Sequence, residues 1–151
     1  LGRCDRDMSC AHSIYIGQYG SLIVTRSRFE RGNGGHYVKS RAIRNEVTDS
    51  SFDDSKGRAT NYMIDLSAGS IGRIARNVFV QGTDKENHSA MITVAAETRD
   101  NPSRGLAIAD NTASLAPDVS WSTVFVADWS HEPLAIGANK LGKGIRAFET
   151  R

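Results

Sequence analysis

The chain has 151 residues, 39% of them hydrophobic and 24% charged, with a formal net charge of +2. That is enough for one domain with a buried core. Its cations are interleaved with acids, as in Thr25-Arg26-Ser27-Arg28-Phe29-Glu30-Arg31, which argues against a nucleic-acid surface, and no apolar run approaches the ~18 residues of a membrane span.

Residues 1–11 are short and polar and read as an N-terminal loop. The first residue is Leu1 rather than Met, which fits either removal of a leader or a piece of a longer protein. Cys4 and Cys10 are the only cysteines. They have no His or Cys partners at metal-ligand spacing, so no metal site is expected. They read either as a local disulfide, which would suit an exported protein, or as two free thiols.

One short pattern then recurs five times along the chain: a β-branched residue, Ser or Asn three positions later, and an apolar residue two after that. The copies are Val24…Ser27…Phe29, Val47…Ser50…Phe52, Ile74…Asn77…Phe79, Ile108…Asn111…Ala113 and Ile136…Asn139…Leu141. Their lead positions lie 23, 27, 34 and 28 residues apart, the length of one coil of a three-sided solenoid with variable loops. In such a coil the β-branched residue points inward on one strand and the apolar residue inward on the next. Ser or Asn suits the bend between them, because its side chain can bond the backbone and Asn tolerates the left-handed region. Stacked coils place equivalent residues about 4.8 Å apart, so Phe29, Phe52 and Phe79 should form an internal ladder.

A further strand precedes each copy: Ile14-Tyr15-Ile16, Val38-Lys39-Ser40, Ile64-Asp65-Leu66, Ile92-Thr93-Val94 and Val124-Phe125-Val126. Each alternates as a half-buried strand should. Asn45 and Gly72 interrupt the inward apolar series of the strand that carries the β-branched leads. The stretches 30–35, 53–61, 81–88 and 114–120 are rich in Gly, Asp, Ser and Asn and read as loops on one side. No segment shows sustained helical spacing, and the lone Asn33-Gly34 falls between coils rather than inside a hairpin. The expected architecture is therefore all-β: a single right-handed parallel β-helix domain over residues 1–151. Five coils occupy residues 12–141, a strand-like tail occupies residues 142–151, and neither end carries an evident cap.

The middle residues of the first strands should form an outward row, Tyr15, Lys39, Asp65, Thr93 and Phe125. Arg41 faces the same way as Lys39; His12, His36 and Tyr62 stand at strand starts, and His88 ends a loop into the fourth coil. A base, an acid, imidazoles and aromatic faces in one shallow groove suit sugar binding or uronate elimination. Lys39, Arg41 and His36 are the catalytic candidates, and Tyr15, Tyr62, Asp65, His12 and His88 the substrate-binding ones. The alternative is that Lys39–Asp65 is a surface ion pair and the aromatics are ordinary strand formers. No nucleophile elbow or phosphate-binding loop is present.

The segments Ala11-His12-Ser13-Ile14-Tyr15, Gly35-His36-Tyr37-Val38-Lys39-Ser40-Arg41-Ala42 and Asn61-Tyr62-Met63-Ile64-Asp65-Leu66 resemble those of bacterial right-handed parallel β-helix repeat proteins of the pectate-lyase-like superfamily. The resemblance implies an extracellular or periplasmic protein whose partner is an acidic polysaccharide. It also implies a lyase-type role for Lys39, whose strand is similar to the one that bears the catalytic lysine in some uronate lyases. Such lyases use calcium, but the sequence offers no clear acidic cluster for it, and no cofactor is expected. The open ends support a second reading, a structural subunit that stacks end to end with copies of itself through Ile145 and Phe148.

Overall fold

The computed structural model describes residues 11–151; Cys4 and Cys10 lie outside the described residues. The strands, numbered in chain order, repeat in threes. The first coil is β1 (Ile14–Ile16), β2 (Ser21–Thr25) and β3 (Arg28–Glu30), and the second is β4 (Val38–Ser40), β5 (Arg44–Thr48) and β6 (Ser51–Asp53). β7 (Ile64–Leu66), β8 (Ile71–Ala75) and β9 (Val78–Gln81) make the third, and β10 (Ala90–Val94), β11 (Ala107–Ala109) and β12 (Thr112–Leu115) the fourth. β13 (Thr123–Asp128), β14 (Ala135–Ile136) and β15 (Lys140–Leu141) close the fifth, and β16 (Ile145–Thr150) follows. Every third strand joins the same sheet, giving one six-stranded and two five-stranded parallel sheets with no helix among the described residues. The fold is a right-handed parallel β-helix.

The interior follows the repeat residue by residue. Val24, Val47, Ile74, Ile108 and Ile136 are register partners down the second sheet. Phe29, Phe52, Phe79, Ala113 and Leu141 are partners down the third. Phe52 stacks on Phe29 at 4.8 Å and on Phe79 at 4.9 Å between ring centroids, nearly parallel in both cases. At the corner between these sheets each backbone N–H donates to the side-chain oxygen one coil on: Ser27 to Ser50 (3.1 Å), Ser50 to Asn77 (3.0 Å), Asn77 to Asn111 (3.0 Å) and Asn111 to Asn139 (3.0 Å). The left-handed residue at this bend is the one before the ladder position. Arg26, Asp49, Arg76 and Asp110 have φ between 47° and 59°, and the Ser or Asn side chain holds the bend by bonding rather than by adopting it.

The interrupted strand is also regular. Asn45 pairs in register with Gly72 and is fully buried, its amide donating to the Ala42 carbonyl (2.9 Å) and to Ser70 Oγ (2.8 Å). Gly72 has φ +116°, and a Cβ there would run into the Asn45 carbonyl, so the small residue is what lets the coils close up.

The first sheet differs from the half-buried strands expected. β7, β10 and β13 are buried on both faces. Residues 95–101 fold back over the sheet, with Ala95 N bonded to Leu66 O, Glu97 N and Thr98 N to Ser67 O, and Asn101 N to Ala68 O. Phe125 does not belong to the outward row. It is fully buried and packs edge-on against Phe79 at 5.4 Å, while Ala127 is the register partner of Thr93. β13 is six residues long, and the inward position of the row Ile14, Val38, Ile64, Ile92 is taken by Val126, two residues later than the triplet alone implies.

Candidate functional site

Parallel stacking places Lys39 between Tyr15 and Asp65, and Asp65 beside Thr93. Asp65 is only 2% exposed, so the pair is not the surface ion pair that the sequence also allowed. Its carboxylate is a hub. Oδ2 accepts from Ser67 Oγ at 2.7 Å and lies 3.1 Å from His36 Nε2 and 3.3 Å from Lys39 Nζ; Oδ1 accepts from Thr93 Oγ1 at 2.9 Å. A buried carboxylate needs such a set of donors to remain charged.

Lys39 also pairs with Glu97, and Arg41 pairs with the same carboxylate. Glu97 arrives from the folded-back segment, which Asn101 pins by donating to the carbonyls of Arg41 and Gly69, both at 3.0 Å. Burial works to lower the Lys39 ammonium, but the hydrogen bond to Glu97 and the charges of Asp65 and Glu97 outweigh it, and the net shift is upward. Burial works to raise the Glu97 carboxyl, yet Lys39 and then Arg41 hold it below its ordinary range. A lysine held more firmly protonated is poorly suited to remove a proton and well suited to bind an anion.

His36 is 7% exposed, and burial first, then the neighbouring His12 and Lys39, pushes its pKa down to about 2. With Nε2 against Asp65, the neutral ring donates there, and the buried Nδ1 has no partner. His36 thus orients the hub carboxylate instead of facing solvent. His12 lies edge-on to it at 4.9 Å, its Nδ1 accepting from the His36 backbone at 3.1 Å, and burial lowers its pKa as well. Tyr62 flanks His36 at 5.7 Å and accepts from Asn87 Nδ2 at 2.7 Å.

The result is a depression of about 340 Å³ lined by His36, Lys39, Asn61, Tyr62, Asp65, Asn87, Ala96, Glu97 and Trp129. Of the sequence candidates, Lys39, His36, Asp65 and Tyr62 line it. Arg41 reaches it through Glu97, while His12, against His36, and Tyr15, beside Lys39, lie 5.7 Å apart and do not line it. His88 does not join them; it stacks on Trp121 at 4.4 Å. Glu97, Trp129, Asn61 and Asn87 were missed. Trp129 lies two residues beyond Ala127, so the correct register of β13 would have exposed it. Glu97 depends on the path of a loop and left no periodic signal. Among the described residues no group of three His, Cys, Asp or Glu is placed to hold a metal ion.

Fold and groove together define a parallel β-helix with a charged, aromatic-walled depression on one sheet. No protein family's sequence model matches the chain, no curated protein matches it, and no solved structure matches it.

Proposed function

We propose that this β-helix binds an acidic polysaccharide in the groove of its first sheet. It would do so as an extracytoplasmic protein of pectate-lyase-like ancestry. The observation that carries the reading is Glu97. Its side chain, 40% exposed, bridges Lys39 and Arg41 in the depression that Tyr62 and Trp129 also line, where the carboxylate of a uronate would find the same partners. Flat aromatic faces beside a cation and amides are what a pyranose ring and its carboxylate use for stacking and charge-assisted bonds, and Trp129 keeps one face for this, the Arg151 guanidinium lying 5.2 Å over the ring on the other. Binding is favoured over elimination, because the upward shift of Lys39 opposes its action as a base.

Calorimetric titration with oligogalacturonides tests this. Tyr62→Ala should weaken binding by about tenfold, and Glu97→Gln should strengthen it severalfold by freeing both cations. Equal affinity of wild type, Tyr62→Ala and Glu97→Gln would sink the reading.

A further inference from the structure

A second depression, of about 710 Å³, lies where the loops after β3, β6 and β9 stack: Arg31, Gly32, Asn33, Lys56, Gly57, Arg58 and Asp84 line it. Resting on the reading above, we propose that it is an anion subsite for a sulfate ester or carboxylate substituent farther along the same acidic glycan.

Three observations carry this. The first is charge. Arg31, Lys56 and Arg58 are exposed and form no ion pair among the described residues, whereas Arg28 on β3, Arg44 on β5, Arg73 on β8 and Arg76 at the bend after β8 reach carboxylates. The single acid of the depression, Asp84, accepts from the Ala59 backbone at 3.0 Å. Within the depression three cations stand against Asp84 alone, while Arg31 and Lys56 also border Glu30 and Asp53 in the smaller depression that adjoins it. Two of the three are guanidinium groups that can grip an oxyanion in two-pronged fashion.

The second observation is rigidity. Asn33 and Arg58 are bridged in parallel, Gly34 N bonds Arg58 O at 2.8 Å, and Arg58 N bonds Gly32 O at 2.9 Å. Beneath them lies a fully buried ion pair, Lys85 Nζ to Asp54 Oδ2 at 3.0 Å. Thr60 and Tyr37 also donate to Asp54, at 2.8 and 2.7 Å, and Tyr37 OH in turn accepts from Gly32 N at 3.1 Å. A Cβ at Gly57 would strike the Asp54 carboxylate, so the loop sits directly on this network. A buried pair is a costly way to anchor a surface loop, and replacing it with apolar groups is often neutral or better for stability. What it provides here is a fixed platform for cations, which lowers the ordering cost of binding.

The third is position. Arg58 lies three residues before Asn61 and four before Tyr62, which line the groove. Even fully extended, the three-residue step spans at most about 10 Å, so one oligosaccharide can occupy both places.

The test is calorimetry of the full chain with dextran sulfate, polygalacturonate and neutral dextran at two salt concentrations. Arg31→Ala/Lys56→Ala/Arg58→Ala should lose at least about tenfold in affinity for the polyanions and show a shallower salt dependence, with an unchanged melting temperature. The polyanion that loses more identifies sulfate or carboxylate as the preferred group. A control that removes equal charge elsewhere, Arg104→Ala/Lys140→Ala/Lys143→Ala, should bind like wild type. Wild-type affinity in the first triple variant, or equal loss in the control, overturns the subsite. Loss in the first triple variant with no effect of Tyr62→Ala would leave the subsite standing and remove the groove.

Discussion

The corner between the second and third sheets and the outer face of the first sheet are built from opposite materials. The corner is a neutral ladder of Ser27, Ser50, Asn77, Asn111 and Asn139 beside a stack of phenylalanines, with one residue type doing one task per coil. The first sheet and its loops instead bury Asp65 against Lys39 and His36, and Asp54 against Lys85, at positions that do not repeat. A repeating neutral ladder is what a solenoid needs to stack. Charges placed once, at the cost of their desolvation, are not explained by stacking, and they cluster where the two depressions lie.

The largest expected effect breaks the charged side. Lys85→Met leaves Asp54 buried without its cation and should cost about 3–5 kcal/mol in chemical denaturation. Adding Asp54→Leu should recover much of that loss; if the single variant is as stable as wild type, the buried pair carries no strain of desolvation. On the neutral side, Asn111→Ala strips partners from Asn77 N and from the carbonyls of Ile74 and Ala109. A loss of about 3 kcal/mol is expected, and it should leave glycan affinity untouched in the surviving folded fraction.

A smaller effect separates the regions by pH. Folded His36 titrates at about 2 against 6.5 unfolded. Below about pH 6.5 the unfolded chain takes up a proton that the folded one does not, so stability falls as pH drops through this window. Between pH 6.5 and 5 the loss should be about 1–2 kcal/mol, before the lowered carboxylates begin to titrate. His36→Gln should flatten the slope without abolishing it, because His12 is lowered as well. An identical slope in the variant would remove His36 from the charged hub.

What the sequence disclosed follows the same division. The ladder and both inward rows were legible because each coil repeats them, and a register read from five copies tolerates loops of different length. Even the interrupted strand kept register, since Asn45 and Gly72 compensate one another across neighbouring coils. In the charged region only what lies on strands or just before them was legible, namely Lys39 above Asp65 with His36 and Tyr62 beside them. Phe125 was misplaced because a three-residue triplet does not fix the register of a six-residue strand. Glu97 and the Lys85–Asp54 pair come from loops whose paths are set by tertiary bonds, and no local periodicity encodes those.

The central claim is that the first sheet's groove receives an acidic glycan. Its most direct test is an amide and indole chemical-shift map of the chain during titration with oligogalacturonide. The account predicts shifts concentrated at Lys39, Arg41, Tyr62, Glu97 and the Trp129 indole, with the ladder from Ser27 to Asn139 silent. Shifts confined to other surfaces, or none at saturating oligosaccharide, would contradict it.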